Sequence, residues 1–343
     1  MPISMAVFGG DTFSQASMAR AINRKPYIPG MLDSIIGFEP VSATNDTVYV
    51  TSRQRYVTLI RSTLRGAPIE MAAPEDKNAR PLRIPRFAKG DKLFAHELAN
   101  VMPFEDETET DLAAAMIARK QQKLIDDAEA TMEFQRLGAV KGILLDTDGS
   151  TLVNFFTEFG ITPPADIDLT LDNLTMTIGD MRASVGNNLV MPIARASGAG
   201  NDQRFRLKAI CGDAFWFALT GHPAIEKTYL NYTGAAELRG EKLWESFLFG
   251  GVEWFHYRGT DDNSTIAVAT NKALVFPVGV PGMWQHIMGP MNESIPLMGQ
   301  PGRRYYPFLE ADDSKKQQWV QPEIYSYPLF VNARPDLVLT VTI

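Results

Sequence analysis

The chain has a single cysteine, Cys211, in 343 residues, so no internal disulfide can form and nothing points to an oxidising compartment. No run approaches the ~20 apolar residues that a membrane-spanning helix needs. The first residues, Met-Pro-Ile-Ser-Met-Ala-Val-Phe, lack the basic start and long apolar stretch of a secretory signal. Positive charge is also short. Lys and Arg number 33 against 40 Asp and Glu, leaving a net charge of −7. General affinity for nucleic acid needs a basic surface that releases counterions from phosphates, so this balance argues against it. Together these absences predict a soluble protein made in a cytoplasm-like compartment, with no membrane partner.

Catalytic signatures are equally scarce. There is no Gly-x-Ser-x-Gly elbow, phosphate loop or dinucleotide fingerprint. His96, His222, His256 and His286 are far apart and lack metal-ligand spacing. His222, before Pro223, reads as a turn residue, and His256, among Trp, Phe and Tyr, as a half-buried strand residue. Cys211 ends an apolar strand pattern and reads as a small core hydrophobe. Asp146, Asp148 and Gly149 resemble a shortened calcium loop, but the glutamate that should follow is missing. Gly250-Gly251 reads as a turn or bulge. No catalytic residue, metal or cofactor is expected, and the chain is predicted not to be an enzyme.

What the sequence does have is opposed charge. From Arg53 to Lys92 lie ten basic residues: Arg53, Arg55, Arg61, Arg65, Lys77, Arg80, Arg83, Arg86, Lys89 and Lys92. Four acids stand against them: Glu70, Glu75, Asp76 and Asp91. Prolines 68, 74, 81, 85 and 103 punctuate the region. Then comes Phe104-Glu-Asp-Glu-Thr-Glu-Thr-Asp111, with five acids in eight residues. A long, polar, proline-interrupted arm cannot bury a core of its own. With its complement on the same chain, it is either a folded-back loop or a strap between copies.

The remaining pattern is α+β. Residues 1–46 are irregular, either an arm or a frayed tail. Strands are predicted at Thr47–Thr51 and Tyr56–Ile60, where β-branched and aromatic residues concentrate. Thr108 or Thr110 caps a helix that runs to Leu137, stops at Gly138, and carries Ile117, Leu124, Ala128 and Met132 on one face. Its acidic start suits the helix dipole. A hairpin turns at Asp148-Gly149 within 142–156. Leu174, Ile178, Met181, Val185 and Leu189 mark a helical stripe, and 197–202 a flexible loop. Further strands are predicted at 206–211, 248–257, 274–280 (interrupted by Pro277) and 338–343. Helices are predicted over 213–219 and from Pro223, and 312–316 reads as a charged surface loop.

This order of parts resembles the major capsid proteins of tailed bacteriophages in the lambda protein E group. Leu64-Arg-Gly-Ala-Pro68 resembles the family's entrance to an extended loop. Gly142–Gly149 with Phe155-Phe156 resembles the hairpin after its spine helix. Ala273–Gly282 and Pro328–Asp336 resemble its C-terminal segments. The resemblance implies the HK97-like phage capsid fold: an N-terminal arm over 1–50, an extended loop over 51–103 and a spine helix over 110–137. A peripheral domain would take 104–159 and 273–343, and an axial domain 160–272. It also implies self-assembly into hexamers and pentamers of an icosahedral head around double-stranded DNA. Scaffolding and portal proteins, and a decoration protein, are the implied partners. Arg80, Arg83 and Arg86 would then lie across Glu105, Asp106 and Glu107 of the next subunit. Alternative readings are an encapsulin-like nanocompartment shell, and a two-domain hydrolase or ligand-binding protein with a cleft near Trp216, Trp254 and Trp284.

Overall fold

A computed structural model describes residues 30–53, 77–99, 109–198, 204–226, 246–260, 265–312 and 318–343. Helix α1 (Met31–Ile36) and strand β1 (Glu39–Ser42) open it, in a stretch predicted to be irregular. Tertiary burial supplies the order that local pattern does not: Leu32, Ile35, Ile36 and Phe38 are all buried. Strands β2 (Thr47–Arg53) and β3 (Lys77–Arg83) form an antiparallel ribbon. The strand predicted at 56–60 lies outside the described residues. Strands β4 (Phe87–Gly90) and β5 (Leu93–Phe94) and the short helix α2 (Ala95–Ala99) follow.

Helix α3 spans Glu109–Lys141, about 50 Å at 1.5 Å per residue. It does not stop at Gly138 as predicted. Leu137, Ala139 and Val140 are buried on its last turn, and that packing carries the helix past the glycine. Gly142, at φ +81°, ends it. Thr110 lies inside the first turn and Thr108 outside the described residues.

Strands β6 (Ile143–Leu145) and β7 (Thr151–Asn154) make the predicted hairpin. Its loop is longer than a two-residue turn. Thr147-Asp148-Gly149 is closed by hydrogen bonds Gly149 N–H to Asp146 O and Asp146 N–H to Ser150 O, with only Gly149 at positive φ. Phe155 and Phe156, predicted as strand, begin helix α4 (Phe155–Phe159), because the Asn154 side chain caps the Phe156 and Thr157 amides. Strand β8 (Ile167–Asp168) leads to helix α5 (Ile178–Val185), a π-turn over Gly186–Val190, and helix α6 (Met191–Ser197). Met181, Val185, Leu189 and Ile193 form the buried stripe, whereas Leu174 and Ile178 are exposed. The start moves to Thr177 because a capping box with Asp180 fixes it there.

Strand β9 (Arg206–Cys211), helix α7 (Asp213–Gly221), and strands β10 (Ser246–Phe249) and β11 (Val252–His256) come next. Gly250 and Gly251, both at positive φ, form the two-residue turn between β10 and β11. Residues 223–226 are helical, as expected from Pro223, and the rest of that predicted helix lies outside the described residues. The last strands are β12 (Lys272–Val278), β13 (Trp284–Met288), β14 (Tyr306–Ala311), β15 (Trp319–Ser326), β16 (Pro328–Asn332) and β17 (Leu339–Thr342). Pro277 does not interrupt β12, which pairs with β9 through it. It lies beyond the last β17 partner, Val275↔Leu339, so its missing N–H takes nothing from that ladder.

The largest sheet has the order β10-β11-β9-β12-β17-β8. Alternate residues of its central strands serve two cores. Ala209, Cys211, Ala273 and Val275 face a core built with α5, α6 and α7. Ile210, Leu274 and Phe276 face a second core that holds α1, the ribbon root, α3, β13 and β16. The expected division at 272/273 therefore falls within one sheet, with β12 and β17 as strands of it. A three-stranded sheet β1-β13-β16 and a sheet β14-β15-β4, with β5 also on β15, complete the second half. No helix among the described residues is long and apolar enough to cross a membrane.

Candidate self-association surface

The ribbon register runs from Thr47↔Arg83 to Arg53↔Lys77. Side chains alternate across it, so Val48, Val50, Arg80 and Leu82 share one face. Val50 and Leu82 are buried in the core, which makes this the inward face. Thr47, Tyr49, Pro81 and Arg83 share the outward face, where Tyr49 is 67% exposed. The Ile84 amide donates to the Asp46 carbonyl at 3.0 Å and closes the root. The three arginines singled out from sequence therefore separate. Arg80 is half-buried on the inward side, Arg83 is exposed on the outward side, and Arg86 lies beyond the ribbon.

Arg86 already has a partner in its own chain. Its Nε is 2.5 Å from Glu293 Oε1, and its guanidinium sits over the Tyr325 ring at 5.2 Å. Residues downstream behave alike. Lys89 pairs with Asp127 of α3 at 2.6 Å, Asp91 accepts from Lys120 at 3.0 Å, and Lys92 lies 4.1 Å from the Trp319 ring. Within the 51–103 span expected as the extended loop, residues 87–90 and 93–94 pair with β15 in the β14-β15-β4 sheet laid against α3. Glu105, Asp106 and Glu107 lie outside the described residues.

Beside the ribbon root, a cavity of about 190 Å³ is lined by Asp46, Arg83, Arg86, Asn292, Glu293 and Tyr327 among others. Burial, and next the Glu293 carboxylate, push the Tyr327 phenol up to about 12. The acid side chains of this region thus serve to hold the root in place. Asn292 donates to Asp46 at 2.5 Å, which joins the loop after β13 to the start of β2.

A buried polar cluster escaped the sequence reading. Glu133 and Arg136 of α3 are 0% and 1% exposed. Glu133 accepts from the Leu32 amide at 2.9 Å, from Tyr257 Oη at 3.3 Å and from Arg136 Nη1 at 3.3 Å. Burial raises its carboxyl above the usual range, against the pull of the Leu32 amide and of Arg136. Arg136 also lies 3.6 Å from Asp33 and over the Phe330 ring at 5.0 Å. In sequence, a Glu–Arg pair three apart reads as an ordinary exposed helix pair.

The other candidates hold structural positions. Cys211 is fully buried, and its thiol is raised well above its usual range by that burial. His222 accepts from the Ala224 amide through Nδ1 and its Nε2 meets the Asn173 carbonyl, so it is a buried cap as well as a turn residue. His256 Nε2 lies 2.7 Å from Asp213 and its ring stacks on Trp216. Trp216, Trp254 and Trp284 are 4%, 0% and 3% exposed, so they line core and not the interlobe cleft that a hydrolase or ligand-binding reading requires. Among the described residues, no group of three or more His, Cys, Asp or Glu is placed to hold a metal ion.

Two cores sharing one sheet, a long helix laid across a second sheet, and a two-stranded ribbon rooted in one core make up the HK97-like phage capsid fold. The cyanophage Pam1 capsid matches with a TM-score of 0.56 at 12% identity, over 93% of this chain and 93% of that one. The capsid of cyanophage P-SCSP1u matches with a TM-score of 0.51 at 10% identity, over 93% of this chain and 88% of that one. The chain belongs to the family described as phage major capsid protein E, whose profile matches residues 14–343. The major capsid protein of Salmonella phage Felix O1 is 22% identical over 368 residues, 96% of each chain. The molecule is a structural subunit of a phage head that assembles into a shell, and this family match favours the phage-head reading over the nanocompartment one.

Proposed function

We propose that this subunit forms hexamers and pentamers of an icosahedral head around double-stranded DNA, with the ribbon and its 54–76 connection as the strap to a neighbouring copy. The observation that supports this most is the ribbon's two-sidedness. One face is built into the subunit core, while the other presents Tyr49, Pro81 and Arg83 outward with no core of its own. Tyr and Arg are the residue types that dominate protein contacts. The acids Glu105, Asp106 and Glu107 are the complement on the next subunit. Arg83 carries the strap charge, Arg80 lies flush with the body, and Arg86 acts within its own chain. Each exposed ion pair contributes only ~0–1 kcal/mol and is screened by salt, so many repeats give a shell that still corrects errors during growth. A net charge of −7 suits a wall that encloses DNA without gripping it. Assembly in the bacterial cytoplasm, a separate scaffolding protein, a portal and a decoration protein complete this reading.

The test replaces 54–76 by Asn-Gly. Arg53 and Lys77 are paired neighbours, so this turn closes the ribbon without disturbing β2 or β3. The shortened subunit should stay folded and soluble yet give no closed shells by negative-stain microscopy. Normal shells would overturn the strap. Arg83→Glu should weaken assembly and be partly rescued by reversing Glu105, Asp106 and Glu107. Arg86→Glu should instead be rescued by Glu293→Arg in the same chain.

A further inference from the structure

The loop between β13 and β14 carries Ile295, the most exposed large apolar side chain among the described residues, together with a second exposed one, Met298. Ile295 is 88% exposed and Met298 61% exposed. A 3-10 turn spans Ile295–Leu297, and residues three apart in such a turn fall on one side, so Ile295 and Met298 form a single patch. Leu297 packs inward against the core and pins the turn from below.

The loop is held from several directions. Asn292 bonds to Asp46, Glu293 pairs with Arg86, and Gln300 Nε2 donates to the Pro296 carbonyl at 3.2 Å. Arg303 Nη2 donates to Gln300 Oε1 at 3.0 Å, and the Gly302 amide donates to the Ala43 carbonyl at 2.9 Å. A segment this well tied has little ordering entropy left to lose when its tip is covered. Isolated exposed apolar residues need no explanation, but an apolar pair raised on a fixed pedestal does.

We propose that residues 291–303 form a second docking surface for another copy of this chain, continuous with the outward face of the ribbon root. The cavity lined by Arg83, Asn292 and Glu293 joins the two surfaces. Arg83 makes no ion pair with a described residue, so the combined surface has an apolar tip and a cationic edge. A second copy supplies the complement, since the chain has 40 acids against 33 Lys and Arg and shells press such copies together. The occupant rests on the shell reading above, but the loop contact does not need the strap to be right.

Cys211 is buried and inert, so an introduced surface cysteine is the one reactive thiol. In the Ile295→Cys full-length subunit, maleimide labelling should be at least about tenfold slower in assembled shells than in dissociated subunits. A folded Ile295→Cys subunit that no longer assembles supports the same contact. Assembled shells that label as fast as free subunits overturn it. Ile295→Ser with Met298→Ser should leave the circular dichroism of the subunit unchanged and raise the concentration needed for assembly about tenfold or more, from the lost apolar burial. Unchanged assembly in that variant also overturns it. If the 54–76 replacement assembles normally while the loop variants fail, the strap is wrong and the loop stands. The opposite pattern leaves the strap and removes the loop.

Discussion

The Glu133 carboxylate accepts the Leu32 amide at 2.9 Å and so fastens α1 onto the last third of α3. Gly30 offers no side-chain cap to α1, and Glu133 takes that role from 101 residues away. The same carboxylate is the main counter-charge for Arg136, which is itself out of water. One side chain thus joins the N-terminal segment, the long helix and Tyr257.

Removing Glu133 leaves a buried guanidinium with only the more distant Asp33 to offset it. Glu133→Ala should therefore cost about 3–5 kcal/mol in urea unfolding of the dissociated subunit, as for other broken buried pairs. Glu133→Gln keeps an acceptor for the Leu32 amide and should cost less, about 1–3 kcal/mol. Glu133→Leu combined with Arg136→Met should recover much of the loss, because neither charge is then stranded. A double variant as unstable as Glu133→Ala would show that the pair is not the source of the effect.

His286 gives the fold a pH dependence of known sign. Burial first, then Arg136 and Arg304, lower its pKa from 6.5 to about 4, opposed by Asp33 and Glu129. The folded state therefore binds fewer protons than the unfolded state between those values. Stability from this residue is fully present above pH 6.5 and is lost as pH falls towards 4. A shift of this size corresponds to about 3 kcal/mol. Glu133 works in the opposite direction, since its raised pKa favours the fold in its protonated form and that contribution fades as pH rises. His286 stacks on Phe330 at 4.3 Å, so His286→Phe keeps the ring contact and removes the titration. Its unfolding midpoint should vary much less between pH 6.5 and 4 than that of the unchanged chain. Equal slopes would rule His286 out.

Legibility followed range. The hairpin at 142–154 and the Gly250-Gly251 turn rest on contacts within a few residues, and the stripe of α5 and the terminal strand show a local periodicity although their partners are distant, so these patterns were readable. Helix α1 and strand β1 were not, because their order comes from Glu133, Trp284 and Phe330. The charge blocks were visible as composition, but pairing within the chain could not be. Nothing in the spacing of Arg80, Arg83 and Arg86 says that one faces inward, one outward and one towards Glu293. The fold family was readable from the order of parts, whereas the loop at Ile295 carries no motif.

The end of α3 separates two glycines that look alike in sequence. At Gly142, φ is +81°, and an added Cβ would lie 2.4 Å from Phe156 Cε2. Gly142→Ala combines left-handed strain with displacement of a ring, and should cost about 1–3 kcal/mol or more in thermal or urea unfolding. Gly138 is in the helix interior, where alanine ordinarily stabilises by about 1 kcal/mol. Here an added Cβ would lie 2.9 Å from the Ile143 carbonyl oxygen, a backbone atom of the hairpin that cannot swing aside. Gly138→Ala should therefore yield no gain, or a net loss. A stabilisation near the full helix-propensity value would mean that the hairpin yields readily, and that Gly138 does not set how closely β6 approaches the helix.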